Sequence, residues 1–326
     1  ENKNNMSILI DAEYEEGKFK KAAFELASYA KKVAESLGTT VTAVTINAGD
    51  VSELSKYGVD KVLKVNNDEL SGFTAKAYAD VIKQAAQKEN IKLLLLSSTT
   101  DSVYLSSLVA VALEAGYASN VVGLPVSTSP FQVKRTAFSN KAFMITEINT
   151  AVKVLGLAKN SYGISENAST LTQEDFNPTI GENDFGVKVE SVEKVTGKVS
   201  IADADIVVSA GRGLKGPENW GMIEELATVL GAATACSKPV SDLGWRPHGE
   251  HVGQTGKPVA ANLYIAIGIS GAIQHIAGIN SSKVKVVINS DPEAPFFKVA
   301  DYGVVGDAFE IVPQLIEKLK AFKANN

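Results

Sequence analysis

Short apolar runs alternate with helix-spaced apolar residues along the first half of the chain. Apolar residues recur every three or four positions from Phe19 to Leu37, before Gly38, and again within Thr74–Lys88 and Val103–Glu114. The runs between them are short and nearly continuous, as in strands buried on both faces of a parallel sheet. They are Ser7–Asp11, Val41–Ile46, Lys61–Val65 and Leu93–Leu96. This order predicts repeated βα units and an α/β fold.

The pattern changes after Leu124. Alternating segments such as Phe143–Asn149 and Lys153–Ala158 predict β-rich structure, and the polar stretch Ser161–Asp184 shows no helical period. We interpret this region as an elaboration of the first domain and a connector. The pattern thus predicts an N-terminal α/β domain over residues 1–195, acting as a partner-binding scaffold, and a C-terminal domain over residues 196–326.

Buried runs return in the second domain, each followed by a turn with glycine, hydroxyl or amide residues. The predicted elements are strands at Asp205–Val208, Ala232–Ala235, Leu263–Ile269 and Val284–Asn289, and a final helix at Phe309–Phe322. Where parallel strands end and helices begin, free backbone N–H groups and the helix dipole favour an anionic ligand. We therefore expect a Rossmann-like parallel sheet with a phosphate-binding crevice.

Composition narrows the class of protein. The chain has 326 residues and a formal net charge of -5, so it lacks the basic surface that nucleic acid requires. One cysteine and three histidines leave no multi-cysteine or histidine-rich metal site. No apolar run approaches the roughly 20 residues that span a bilayer. We expect a cytoplasmic protein without an integral membrane segment, or a mitochondrial matrix protein if it is eukaryotic, although no presequence is visible.

The segment Gly211–Gly216 reads GRGLKG, which matches the dinucleotide fingerprint GxGxxG and follows a predicted strand. An NAD site also expects a carboxylate at the end of the next strand, yet the chain has Ser237 and Lys238 there. A hydroxyl and a cation suit a phosphate or an electron-rich ring. A tight glycine turn without a ligand is the alternative interpretation.

The remaining polar candidates are individually weak. Gln254 and Thr255 lie in a glycine-bounded loop, and a helix cap is the commoner role for a serine placed like Ser270. A histidine placed like His275 is more often a core or boundary residue than a functional one. Asn289 ends a strand, where a turn-capping role is equally plausible. We find no GxSxG, no HExxH and no Ser/His/Asp set, so we predict no catalytic residues and no metal ligands.

Taken together, the motifs of the second domain resemble the alpha subunit of electron transfer flavoprotein. The matching residues are Gly211–Leu214, Val252–Lys257, Gly268–His275, Asn289, Asp291–Pro295 and Ala300–Gly303. The resemblance implies one FAD, bound mostly by the second domain, and a heterodimer with a beta subunit that the flavin ring faces. It also implies an electron carrier between acyl-CoA and related dehydrogenases of fatty acid oxidation and a membrane quinone oxidoreductase, with no substrate transformation of its own.

The resemblance assigns FAD-binding roles by position. Arg212 and Ser237 would contact the phosphate and ribityl region, Thr255 would donate to the central ring nitrogen, and His275 would lie at the pyrimidine carbonyl, where a donor or a positive charge favours the one-electron-reduced flavin. The full predicted set is Arg212, Ser237, Lys238, Val252, Gly253, Gln254, Thr255, Ser270, Gly271, Ala272, Ile273, Gln274, His275, Asn289, Asp307 and Ala308. Of these, Asn289, Asp307 and Ala308 would hold the adenosine end.

One position departs from the family pattern. Lys238 stands where better-known members carry an arginine over the flavin, so the charge is kept while the planar, stacking guanidinium is lost. Three alternatives remain open from the sequence. The chain could be an oxidoreductase that binds NAD or a thiamine-type cofactor, a nucleotide-binding regulatory protein, or the alpha subunit of a bifurcating flavoprotein that uses NADH and holds a second FAD in its partner.

Overall fold

The computed structural model describes residues 7–138, 140–187, 189–191 and 200–325. Within these ranges, residues 7–137 and 142–191 belong to one compact unit and residues 200–325 belong to a second. The predicted domain boundary after residue 195 lies outside the described residues and stays a prediction. Among the described helices, none is long and apolar enough to cross a membrane.

The first unit is built on a ten-stranded sheet whose central strands are parallel. Its strands are β1 (Ile8–Asp11), β4 (Val41–Ile46), β5 (Lys61–Val65), β6 (Leu93–Leu96), β7 (Gly116–Val121), β8 (Ser127–Thr128), β9 (Phe131–Ala137), β10 (Ala142–Glu147), β11 (Lys153–Leu157) and β12 (Thr172–Asp175), while β2 (Tyr14–Glu15) and β3 (Lys18–Phe19) form a small hairpin. The helices are α1 (Lys21–Leu37), α2 (Ala75–Lys88) and α3 (Thr100–Ala112). The strand order is β10-β9-β7-β11-β6-β1-β4-β5-β12, with β8 paired to β9.

The predicted βα order of this unit is confirmed, with three corrections. Helix α3 begins at Thr100 instead of Val103, because the Thr99 side chain accepts a hydrogen bond from Ser102 N at 3.3 Å and caps the helix. The segment that contains β11 was predicted to be an elaboration of the domain, but β11 is a strand of the main sheet and lies between β7 and β6. The polar stretch after Ser161 contains β12, an edge strand whose exposed residues carry no hydrophobic signal.

The second unit is a six-stranded sheet, parallel throughout, in the order β15-β14-β13-β16-β17-β18. Its strands are β13 (Ile206–Ala210), β14 (Ala233–Ser237), β15 (His251–Val252), β16 (Leu263–Ile267), β17 (Val284–Asn289) and β18 (Tyr302–Val305). Its helices are α4 (Gly221–Leu230), α5 (Lys238–Asp242), α6 (Ile273–Ile279) and α7 (Ala308–Ala324). In chain order this is the 3-2-1-4-5-6 arrangement of the Rossmann fold, so the predicted fold class is confirmed.

Alternate residues of the central strands supply two cores, one on each face of this sheet. Ile265 and Ile267 face a cluster that includes residues of α4 and α7, whereas Tyr264 and Ala266 face a second cluster that includes Phe296. Strand β16 ends two residues earlier than predicted, because Gly268 turns the backbone into the left-handed region with φ +61°. The strand order reverses between β13 and β16, so the crevice expected of this fold opens at their carboxyl ends.

Candidate functional site

The loops that follow β13 and β16 meet backbone to backbone. Gly211 N donates to Ile267 O at 2.9 Å, and Gly213 N donates to Gly268 O at 3.2 Å. A Cβ atom on Gly213 would lie 2.7 Å from Gly268 Cα, closer than such atoms approach. Glycine is therefore required on both sides of this contact, which presents a bare backbone surface at the switch point of the sheet.

The glycine motif differs from an NAD fingerprint in its geometry. Residues Arg212–Leu214 form a single 3₁₀ turn, and α4 begins only at Gly221, after a second turn at Pro217–Trp220. In a dinucleotide fingerprint the helix opens within the motif, so that its N-terminus meets the pyrophosphate. The longer path here leaves the Arg212 side chain exposed beside the crevice. This arrangement agrees with the sequence-based argument against a standard NAD site.

Two predicted residues lie at the end of β14. Ser237 is buried as the last residue of the strand, while the Lys238 side chain is 57% exposed. The Lys238 ammonium pairs with the Asp242 carboxylate at 2.9 Å, one turn further along α5. The ion pair with Asp242 thus holds the Lys238 ammonium at the carboxyl edge of the sheet. Asp242 was not predicted as a site residue. The spacing of four residues between Lys238 and Asp242 would have predicted the pair.

The loop after β15 packs against α6. Gln254 N donates to Gln274 O at 2.8 Å, and a Cβ on Gly278 would lie 2.7 Å from Gly253 Cα. Val252 is buried beneath this loop, whereas the Gln254 and Thr255 side chains are exposed. The amide and the hydroxyl are therefore free to meet a ligand at the edge, as the sequence predicted for such a loop.

His275 is a buried residue of α6 whose environment selects the neutral ring. Its Nε2 lies 2.9 Å from the hydroxyl of Tyr264, which belongs to the neighbouring strand β16 and is fully buried. Burial, together with a smaller effect of the nearby His251, lowers the pKa of His275 to about 4. Of the donor and the positive charge that the resemblance allowed at this position, the described residues favour the neutral donor. Tyr264 was not predicted as a partner of His275. Its hydroxyl is the single polar group among the side chains of the apolar strand β16, and this could have indicated a buried hydrogen bond.

The other two histidines, His248 and His251, lie next to each other at the start of β15. His251 is buried and its Nδ1 has no hydrogen-bond partner among the described residues. Its ring centroid is 5.4 Å from that of the exposed His248. Burial lowers the pKa of His251, and the neighbouring His248 and Lys238 act in the same direction. A buried ring nitrogen without a partner is costly, so this atom is available to a ligand or a water.

The turn between β16 and α6 is shaped by glycine. Gly271 has φ +89°, and a Cβ on it would lie 2.7 Å from Phe296 Cα. Phe296 N donates to Ser270 O at 3.1 Å. Ser270 does not cap the helix, because the N-cap position is Ala272, which has no polar side chain. The exposed residues of this turn are Ser270, Ala272, Ile273 and Gln274.

The predicted adenosine residues also lie at this edge, and their polar groups have local partners. Asn289 Nδ2 donates to Ile269 O at 3.0 Å, while its Oδ1 accepts from Asp291 N at 3.0 Å. Asp307 Oδ1 accepts from Phe309 N at 2.9 Å and caps α7, whose first residue, Ala308, is buried. These contacts define turns and caps, and the adenosine role of the three residues stays a prediction.

The sheet brings all the predicted site residues to one edge. They lie at or shortly after the carboxyl ends of the six strands, where the exposed cation Arg212 belongs to the loop of the glycine contact and the exposed cation Lys238 follows β14. The bare backbone surface, the cations and the buried, unpartnered His251 nitrogen fit a ligand with phosphates and a polar ring system, as FAD has. Among the described residues, no group of three or more His, Cys, Asp or Glu side chains could hold a metal ion.

Comparison with known proteins agrees with this site. Residues 200–280 match the family described as "Electron transfer flavoprotein FAD-binding domain", and residues 8–178 match "Electron transfer flavoprotein domain". The electron transfer flavoprotein subunit alpha of Thermoanaerobacterium thermosaccharolyticum is 37% identical over 97% of this chain and 98% of its own length. The electron transfer flavoprotein subunit alpha of Bacillus subtilis is 33% identical over 96% of this chain and 97% of its own length.

A third relative carries a different name. Protein FixB of Clostridium saccharobutylicum is 33% identical over 96% of both chains. The matches to these relatives extend over nearly the whole chain, and residues 200–280 of the second domain match the FAD-binding family. The chain therefore belongs to the alpha subunits of electron transfer flavoproteins, which bind FAD and transfer electrons without transforming a substrate.

Proposed function

We propose that this chain binds FAD at the carboxyl edge of the second sheet and forms a heterodimer with a beta subunit in the cytoplasm. The heterodimer takes electrons from acyl-CoA and related dehydrogenases and passes them singly to a membrane quinone oxidoreductase. The observation that carries the proposal is the glycine contact of Gly213 with Gly268, with the exposed Arg212 in the same loop and the exposed Lys238 at the end of the neighbouring strand β14. Family membership and the FAD-binding match support it.

In this proposal the phosphates of FAD lie against the glycine contact. The Arg212 guanidinium stabilises negative charge there, and Ser237 and Asn289 supply neutral polar groups along the edge. The isoalloxazine ring, when bound, accepts and releases electrons one at a time. Lys238 supplies positive charge near that ring, with its reach set by the Asp242 pair. This charge stabilises reduced flavin relative to oxidised flavin.

Thr255 and His275 act as neutral donors in the same proposal. The exposed Thr255 hydroxyl is free to donate to a ring nitrogen, and the buried His275 stays uncharged at neutral pH. Two neutral donors orient the ring without adding charge, so Lys238 is the main electrostatic control of the flavin potential. Ile273 and Leu243 of the same unit are exposed in the isolated chain. Apolar side chains in contact with water favour burial against another protein, which supports a partner surface here.

The decisive experiment is an anaerobic stepwise reduction of this chain purified with its co-expressed beta subunit, followed by visible absorption and electrode potential. We expect one FAD per heterodimer, reduction in two resolved one-electron steps, and reduction by an acyl-CoA only when an acyl-CoA dehydrogenase is present. Absence of flavin, or hydride exchange with a nicotinamide by this chain alone, would refute the proposal. Two FAD per heterodimer and reduction by NADH would indicate the bifurcating alternative.

A further inference from the structure

The first unit has a crevice of its own at a reversal of strand order. Strand β1 lies between β6 and β4, and the chain runs from β1 through β4 and β5 before it returns to β6. The carboxyl ends of β1 and β6 therefore form a switch point, where open α/β sheets bind ligands. Helix α3, 13 residues long, starts just after β6 and directs its N-terminus to this place. In many such folds an anion occupies this position.

Here the anion position is filled by the chain itself. One carboxylate oxygen of Glu13, in the loop after β1, accepts hydrogen bonds from the hydroxyls of Ser97, Thr99 and Ser102. Thr99 is also the N-cap of α3. The other oxygen pairs with Lys20 Nζ at 3.1 Å. A phosphate at this site would meet a fixed carboxylate, so the crevice rejects nucleotides and other anions.

A cavity of about 150 Å³ remains beside Glu13. It is lined by Asp11, the last residue of β1, whose side chain is 7% exposed and accepts no hydrogen bond from any described residue. A buried carboxyl without a partner is costly and indicates a missing donor. Three aromatic side chains, Tyr14, Phe73 and Tyr78, form an aromatic part of the wall, where Phe73 packs edge to face against Tyr78 with ring centroids 5.0 Å apart.

The charge of the cavity favours a cation. The carboxylates of Glu13, Glu15 and Asp101 line it together with a single cation, Lys20. No group of three or more His, Cys, Asp or Glu in the described part of the chain is arranged to hold a metal ion, so the carboxyls are too dispersed for one small ion. Water occupies about 30 Å³ per molecule, so the cavity has room for about five waters and thus for a small organic ligand.

We propose that this crevice binds a small organic ammonium ion, with its charged nitrogen at Asp11 and Glu13 and its apolar part against the aromatic wall. Carboxylates recognise the ammonium by charge-assisted hydrogen bonds, and aromatic faces attract it by cation–π interaction. The site lies in the first unit and involves none of the predicted FAD ligands. The proposed ammonium site can therefore be tested independently of the proposed electron transfer.

Ligand binding at this site is coupled to proton release. Burial and the neighbouring Glu13 raise the pKa of Asp11 to about 8, while Lys20 acts in the opposite direction. The other titratable groups facing the cavity are Tyr14, Glu15, Tyr78 and Asp101. An ammonium ion binds the ionised form, so Asp11 loses its proton on binding at pH 7. Because Asp11 is mostly protonated at pH 6 and far more of it is ionised at pH 8, the affinity should rise at least several-fold between these pH values.

The test is isothermal titration calorimetry of the full-length chain with n-propylammonium, compared with the neutral n-propanol and the anionic propionate. A primary amine keeps its charge at pH 8, since its pKa is about 10. We expect only the ammonium to bind, with close to one proton released at pH 7, as measured in two buffers of different ionisation heat. This readout needs no variant.

The matched variants are Asp11→Asn, which keeps the shape of the side chain, and Glu35→Gln, which removes an exposed carboxylate from α1 of the same unit. We expect the first to weaken n-propylammonium binding at least tenfold and to abolish proton release, and the second to change neither. Absence of binding by the wild-type chain, equal binding of n-propanol, or binding of propionate in place of the ammonium would overturn the proposal.

Discussion

Replacing Gly213 by alanine is expected to weaken FAD binding while the second unit stays folded. The added Cβ would lie 2.7 Å from Gly268 Cα and 3.0 Å from Gly268 O, both backbone atoms. Carbon atoms pack at about 3.5 Å or more, so the two loops must separate by roughly 0.8 Å. Gly213 lies at the surface, so the loops separate in the free protein and have to be closed again around the phosphates.

The cost of closing the loops then appears in the affinity. Overpacking of this kind costs about 1–3 kcal/mol. Since about 1.4 kcal/mol corresponds to a tenfold change, FAD should bind roughly 5- to 140-fold more weakly. The assay is a titration of the flavin-free protein with FAD, followed by quenching of flavin fluorescence, together with thermal unfolding of the flavin-free protein.

Gly221→Ala is the matched control. Gly221 starts α4 with φ −52°, and a Cβ there would meet nothing within 4 Å. Alanine should be neutral at this position, or stabilise the protein by up to about 1 kcal/mol, and FAD affinity should not change. Wild-type FAD affinity in Gly213→Ala would refute the assignment of the glycine contact as the phosphate site. Equal loss of affinity in both variants would refute it as well.

Three further predictions follow from single side chains. Lys238→Ala should lower the flavin reduction potential while FAD stays bound, because a positive charge near the ring is removed; an unchanged potential in a redox titration would show that Lys238 does not reach the ring. The pKa of His275 is about 4 in the folded chain and about 6.5 in the unfolded chain, so the unfolded state binds more protons between these values and stability falls as the pH falls. Urea unfolding at pH 7 and pH 5 should therefore show a loss about 2 kcal/mol larger in wild type than in His275→Gln, and identical losses would contradict the neutral, buried ring. Burial raises the pKa of the Cys236 thiol to about 12, with Glu250 acting in the same direction, so the folded protein at pH 8 should react with a disulfide reagent only as fast as it unfolds; rapid colour formation without denaturant would contradict this.

Strands with an apolar side chain on both faces were predictable in place and length. The predicted bounds of β4, β5, β6 and β17 match the structure, because burial on both faces requires a continuous apolar run. The edge strand β12 was missed for the same reason, since its largely exposed residues are all polar. Helix ends were less certain. Helix α3 begins three residues before the predicted position, since its start depends on the Thr99 cap.

By itself the sequence determined the α/β class, the second domain's strand-and-turn pattern, the glycine positions and the family resemblance that points to FAD. These properties are local, because periodicity, turn chemistry and motif spacing all depend on residues that are close together in the sequence. The tertiary structure alone decided that β13 lies beside β16, so that Gly213 meets Gly268, which lies 55 positions later in the sequence. It also decided the neutral state of His275 and the unpartnered carboxyl of Asp11. Desolvation depends on what distant segments bring against a side chain, and no local pattern contains that information.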